Sequence, residues 1–169
     1  MKDMQIVGII ESVSIGKRAV GVPAKIDTGA DRSAIWASKI RVDRDGTLRF
    51  ALFGEGSPFY NGKVFRRTDF SVTQVRSSNG RSEIRYRTHF VVRIGGRKVR
   101  VLMSLADRSR NRFPILIGRQ TIAGKFLVDV SRGSTRISSG KVSRALNEEM
   151  ILDPYAFHKK YVKSKKDNL

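Results

Sequence analysis

An all-β fold, closing into a small barrel, is predicted by three features of this 169-residue chain. Short runs rich in Val, Ile, Phe and Thr recur along it, each broken by turn residues. Two turn pairs suit tight hairpins, Asn79-Gly80 within Ser77-Ser78-Asn79-Gly80, and Gly95-Gly96. Asn-Gly is the strongest short hairpin signal, because a type I′ turn needs positive φ at both central residues. Few stretches keep an apolar period of 3.6 for three turns, so helices should be few and short.

The elements follow in order. Met4 to Ser14 and Ala19 to Asp27 read as two strands joined near Gly16-Lys17, and Ala34 to Ile40 as a third. Residues 43–68 contain Gly54-Glu55-Gly56-Ser57-Pro58 and read as an extra loop or strand pair. Val72 to Arg76 and Glu83 to Tyr86 flank the Asn79-Gly80 turn; Phe90 to Ile94 and Val99 to Met103 flank Gly95-Gly96. Ile115 to Ile117 is a short buried strand and Lys125 to Val130 another, with one short helix expected at Thr121 to Gly124. A further helix is expected at Ser143 to Leu152. The main domain is placed at residues 1–140, and 141–169 is a C-terminal extension, partly helical or disordered.

A chain of this length holds one domain with a sizeable core. It has no cysteine, so neither a disulfide framework nor a thiolate metal site can form, which suits a reducing cytoplasm. The apolar start, Met4 to Ile10, is brief and runs into Glu11, unlike a signal peptide. No apolar run approaches the roughly 18 residues of a membrane helix. A soluble cytoplasmic protein without membrane contact is expected.

Charge is unevenly spread. The net charge is +19. From Lys63 to Arg119 there are fifteen Lys and Arg against three Asp and Glu, a net of +12, whereas Lys141 to Leu169 holds seven against four, a net of +3. The positive field therefore belongs to the body of the domain and favours an anionic partner.

Two separated strings carry chemistry. Lys25-Ile26-Asp27-Thr28-Gly29-Ala30-Asp31-Arg32-Ser33 is an apolar lead-in that ends in a turn. Ninety-one positions after Asp27 stands the glycine of Ile115-Leu116-Ile117-Gly118-Arg119. Asp-Thr-Gly alone is common in turns. Paired in this order, the strings resemble the two halves of a retropepsin active site, the single-domain form of aspartic protease. That resemblance implies an acid-protease-like closed β-barrel with a flap hairpin and a short helix, active as a homodimer. It also implies a hydrolase, an endopeptidase that needs neither a cofactor nor a metal, because two carboxylates sharing one proton activate the attacking water.

Residue by residue, the resemblance assigns Asp27 as the catalytic carboxylate, with Gly29 allowing the sharp turn behind it and Thr28 locking the two catalytic loops. Ala30 and Asp31 would hold the substrate strand, and Arg119, after Gly118, would support the loop through a bidentate pair with Asp31. The Asn79-Gly80 hairpin matches the flap, so Ser78, Asn79, Gly80, Arg81 and Arg85 would touch substrate; Arg76, Arg81, Arg85 and Arg87 make this lid basic. The chain holds one Asp-Thr-Gly and no Asp-Ser-Gly. A second carboxylate must then come from a second copy, across the two-fold axis commonest in oligomers.

A closer resemblance covers Ile6 to Arg132. Ala24-Lys25-Ile26-Asp27-Thr28-Gly29-Ala30, Val75-Arg76-Ser77-Ser78-Asn79-Gly80, and Arg119 with Phe126-Leu127-Val128-Asp129-Val130-Ser131-Arg132 are similar to one bacterial group. It is related to retropepsins and associated with enzymes that add glutamates to ribosomal protein. The group is often labelled ATP-dependent zinc proteases, but this chain has no Gly-x-x-x-x-Gly-Lys-Ser/Thr, no His-Glu-x-x-His, and only His89 and His158 as imidazoles. It departs from the group at Asp31-Arg32, which bears on the substrate pocket rather than on the catalytic role. Acidic, glutamate-rich peptide or protein tails are the expected substrates. The alternative keeps the barrel and drops the chemistry: a basic module binding RNA, ribosome or another polyanion.

Other residues have plainer roles. His89 is expected in the core or on the surface, Trp36 packs in the core, Asp129 caps or pairs locally, and the lysines from Lys159 onward are solvated.

Overall fold

Residues 4–76, 82–133 and 140–161 are described in the computed structural model. The chain forms two units, Met1–Ser134 and Thr135–Leu169. The first contains strands β1 (Gln5–Val7), β2 (Ile10–Ile15), β3 (Ala19–Asp27), β4 (Ser33–Val42), β5 (Leu48–Leu52), β6 (Val64–Arg67), β7 (Ser71–Arg76), β8 (Ser82–Ile94), β9 (Arg97–Ala106), β10 (Ile115–Gly118) and β11 (Phe126–Val128). One short helix, α1 (Arg119–Ile122), follows β10; the second unit holds α2 (Gly140–Leu152) and α3 (Pro154–Tyr161).

Alternation decides which residues face inward. On β3, Val22, Ala24 and Ile26 are buried while Gly21 and Lys25 between and beside them are exposed. On β8 and β9 the buried sets are Thr88, Phe90, Val92, Ile94 and Val99, Val101, Met103, Leu105. Hydrogen-bonded neighbours run β10-β3-β2-β8-β9-β4, and β10 also pairs with β4, so six strands close into a barrel. β5 and β6 continue the sheet beyond β4, and β7 pairs with the first half of β8. β1 and β11 form a separate parallel pair. The core is aromatic on one side: Phe50 stacks on Phe65 at 5.3 Å, and Phe90 meets Phe50 edge-on at 6.0 Å.

The all-β barrel agrees with the sequence, and several boundaries move for physical reasons. The expected strand from Met4 to Ser14 is broken at Gly8, where a β-carbon would lie 2.6 Å from the Arg132 carbonyl oxygen. The chain changes sheets there, helped by a bond from Ile9 N–H to Arg132 C=O. Glu83 to Tyr86 and Phe90 to Ile94 merge into one 13-residue strand, since buried Thr88 keeps the inward alternation between them. The segment 43–68 supplies the strand pair β5 and β6. The Gly95-Gly96 hairpin forms with φ of +52° and +85°, which glycine adopts without strain.

Helix α1 starts at Arg119, two residues before the expected position. β11 ends at Val128, level with Val7 at the end of its partner β1, and the Asp129 carboxylate then accepts from Ser131 N–H and Oγ–H. In the second unit the expected helix lies within α2. α3 was not foreseen, although Asp153 caps it with bonds from Tyr155 and Ala156 N–H and Pro154 occupies its first turn. Glu149 joins the two helices by accepting from Lys160 Nζ at 2.6 Å and Tyr161 Oη at 2.9 Å. The expected flap tip, Ser77 to Arg81, and the end of the C-terminal extension lie outside the described residues. Among those described, no helix is long and apolar enough to cross a membrane.

Phe50 is fully buried against two other rings. Phe50→Ala should lower unfolding stability by about 3–5 kcal/mol, the usual cost of an aromatic cavity. Urea denaturation followed by circular dichroism measures it, and a loss below about 1 kcal/mol would contradict this packing.

Candidate active site

Strand β3 ends at Asp27, and parallel pairing with β10 places Gly118 directly beside it, after Ile115 beside Ala24, Leu116 beside Lys25 and Ile117 beside Ile26. Two strings 91 positions apart in the chain thereby meet at one level of the barrel. The turn after Asp27 is closed by its own groups. Gly29 N–H donates to Asp27 Oδ1 at 3.1 Å, and Ala30 N–H to the Asp27 carbonyl at 3.4 Å. The loop is then tied to α1 through the backbone: Arg119 N–H to Ala30 C=O at 2.7 Å, and Gln120 N–H to Asp31 C=O at 3.1 Å.

Gly118 must lack a side chain, because a β-carbon there would sit 2.6 Å from the Arg32 backbone. Behind this crossing lies a buried polar network. Ser33 Oγ accepts from Gly118 N–H at 3.0 Å and lies 2.8 Å from Thr121 Oγ1, and Ser104 Oγ–H donates to Ser33 C=O at 3.4 Å. Arg119 and Asp31 do pair, but through one contact, Nη2 to Oδ1, rather than the expected bidentate fork. Both side chains are more than half exposed. Such a pair contributes about 0–1 kcal/mol, so the backbone bonds and the Ser33 network hold the loop more firmly than the ion pair does.

Asp27 is the most constrained carboxylate in this region. Its Oδ2 lies 3.1 Å from Lys25 Nζ, while Oδ1 takes the Gly29 N–H. Partial burial pushes its pKa up, but the Lys25 ammonium and the Gly29 and Ala30 N–H groups outweigh burial and hold it below the usual carboxylate value. Thr28 and Gly29 are exposed beside it, and Ala30 is half-buried.

Next to this turn opens a cleft of about 560 Å³, lined by Ala30, Asp31 and four arginines, Arg32, Arg76, Arg85 and Arg108. Among the described residues, partners hold Arg32, Arg85 and Arg108. Arg32 Nη1 donates to Thr73 Oγ1, Arg85 Nη2 pairs with Glu83 at 2.7 Å, and Arg108 Nε donates to Phe113 C=O at 3.1 Å. Burial and the nearby Arg85 charge pull Arg108 below the ordinary guanidinium value, and Asp27 pulls it back up. It remains a cation at any working pH. The cleft is thus basic, with the Asp31 carboxylate in its lining and Asp27 on the adjoining turn.

Asp27, Thr28, Gly29, Ala30, Asp31, Gly118 and Arg119 lie together where the end of β3 meets β10 and α1. Arg85 reaches the cleft but is engaged by Glu83. Ser78, Asn79, Gly80 and Arg81 lie outside the described residues. Sequence reading passed over Lys25, Ser33, Thr73, Arg108 and Thr121. Lys25 was findable, since residues two apart on a strand share a face. Arg108 and Thr73 carried no local signal. His89 lines a separate small cavity with Arg100 and Lys125, and Trp36 packs edge-on to Phe53 at 6.5 Å. Among the described residues no group of three or more His, Asp or Glu is placed to hold a metal ion.

Comparison with known proteins adds family information. Residues 6–139 match the family model described as RimB-like, retropepsin-like aspartic endopeptidase RimB. A probable alpha-L-glutamate ligase of Shewanella pealeana is 35% identical over 120 residues, and one of Shewanella halifaxensis 34%; each alignment covers 67% of this chain. The chain spans 26% of the length of those relatives. A crystal structure of a Legionella pneumophila protein of unknown function superposes with a TM-score of 0.61 at 22% identity, covering 76% of this chain and 95% of that one. That likeness concerns the fold alone.

Ser33 is the junction of the network beneath the loop. Ser33→Ala would leave Gly118 N–H and Thr121 Oγ1 without this partner in a buried site, at a cost of about 1–3 kcal/mol. Denaturant titration measures it, and an unchanged midpoint would mean that the network carries no weight.

Proposed function

The chain belongs to the RimB-like family of retropepsin-like aspartic endopeptidases, and from that premise we propose that it hydrolyses peptide bonds with Asp27 of two copies of the chain. The observation that carries this reading is the Asp27 turn, locked level with Gly118 by backbone bonds and left open to solvent at Thr28 and Gly29. One such turn occurs per chain, and the mechanism asks for two carboxylates. With both in place, one ionised Asp27 takes a proton from the attacking water while its protonated partner donates to the carbonyl oxygen. Like charges so close cannot both ionise cheaply, so the pair titrates in two apparent steps that belong to neither residue alone.

The substrate class proposed is an acidic peptide or protein tail. Arg32, Arg76, Arg85 and Arg108 converge on the cleft beside Asp27, where Coulomb attraction exceeds that in bulk water. Relatives bearing the name alpha-L-glutamate ligase support glutamate-rich tails in particular. The net of +12 between Lys63 and Arg119 also favours a second reading, a barrel that binds RNA, ribosome or another polyanion without cutting it. A pure binding module has no use for a carboxylate in that field, so removing Asp27 would then tighten polyanion binding.

Asp27→Asn should abolish cleavage of a peptide library, read by mass spectrometry, while leaving fold and association state unchanged. Wild-type rate should rise faster than linearly with protein concentration near the dimer dissociation constant. Turnover by the Asn variant, or a rate strictly proportional to concentration on dilution to the monomer, would refute the paired mechanism.

Oligo-glutamate substrates should show higher kcat/KM than neutral ones, and the advantage should shrink as salt shortens the Debye length to about 3 Å at 1 M. Arg108→Gln should cost the acidic substrate roughly tenfold or more, by loss of one charged contact, and the neutral one little. Equal cutting of both at low salt would detach charge from substrate choice.

A further inference from the structure

Lys25 and Asp27 stand two apart on β3 and so project from the same face. Lys25 is flanked in register by Ile10 of β2 and Leu116 of β10, neither of which offers a carboxylate. Its ammonium instead lies 3.1 Å from Asp27 Oδ2, while Gly29 N–H holds Oδ1 at 3.1 Å. Both oxygens of this carboxylate are therefore engaged by donors that favour its ionised form.

The other charged groups around Asp27 are of both signs, and the acids among them are engaged elsewhere. Arg108, from the loop between β9 and β10, acts on it electrostatically, with Arg85 of β8 behind. Asp31 of the loop and Arg119 of α1 pair with each other, and Glu11 of β2 accepts the Gly8 N–H at 2.6 Å. Arg32 is tied to Thr73 of β7. Lys25 is the cation in direct contact.

We propose that Lys25 is a positioning residue that sets the pH range in which the Asp27 pair holds its single working proton. This rests on the paired-carboxylate reading above. Two carboxylates brought together would hold a shared proton tightly, because each opposes ionisation of the other. Each copy also brings its own Lys25, so two ammonium groups counter that repulsion. The proton is then held less tightly, and the singly protonated state is populated at lower pH than it would be without Lys25. Removing the ammonium should raise both apparent pKa values and move the active window to higher pH. Arginine in its place should restore the charge and much of the window.

The test uses the full chain as wild type, Lys25→Met and Lys25→Arg, each checked for fold by circular dichroism. Asp27 is titrated through its carboxyl carbon by NMR, and kcat/KM for an acidic peptide is measured against pH. The Met variant should titrate at higher pH, and both limbs of its rate profile should shift the same way, with the Arg variant close to wild type. An unchanged Asp27 titration in the Met variant overturns the proposal, as does a uniform loss of rate with unshifted limbs, which would mark Lys25 as a substrate contact. If no variant cleaves any peptide, the peptidase reading fails, and the NMR titration still decides whether Lys25 controls the protonation of Asp27.

Discussion

Strand β10 is four residues long and hydrogen-bonds on both edges, parallel to β3 and antiparallel to β4. This double pairing closes the barrel and sets the geometry of the site. It brings Gly118 level with Asp27, and it forces the Arg32 backbone so close to Gly118 that no side chain fits between them. Close approach of two backbones puts polar groups where water cannot reach. Ser33 and Thr121 satisfy them, which is why hydroxyls appear at buried positions in an otherwise apolar core. The aspartate turn is thus held mainly by backbone bonds that any loss of register would break together.

Electrostatics is arranged around one exception to the general charge. The barrel is strongly basic, yet Asp27 is an acid whose ionised form is favoured by Lys25 and by backbone N–H groups. Arginines near it are mostly engaged: Arg32 with Thr73, Arg85 with Glu83, Arg108 with a backbone carbonyl. Held in this way, these long side chains have already given up much of their rotamer freedom. The surface pair of Arg119 and Asp31, by contrast, is exposed and singly bonded, and contributes less than its place in the motif suggests.

Much of the barrel was legible because strands advertise themselves by period and by turns. The Gly95-Gly96 hairpin and the buried run Ile115 to Ile117 lay where alternation and turn chemistry put them. Errors gathered where the outcome depends on contacts distant in sequence. Gly8 breaks the first strand because of Arg132, more than 120 positions away, and β8 runs on past Tyr86 because β9 pairs along its second half. α3 had a visible cap in Asp153 and Pro154, and was missed because its helical run is short.

The site divides along the same line. Local chemistry in the sequence determined the aspartate turn, its glycines and the downstream Gly-Arg, since these obey rules of backbone conformation within a few residues. Alternation along β3 also contained the Lys25 and Asp27 pair. Only the tertiary structure decided that Arg32, Arg76, Arg85 and Arg108 share one cleft, and that Ser33 and Thr121 lie beneath the loop. Those residues come from separate strands and loops. Closure of the barrel, rather than any local propensity, sets the distances between them.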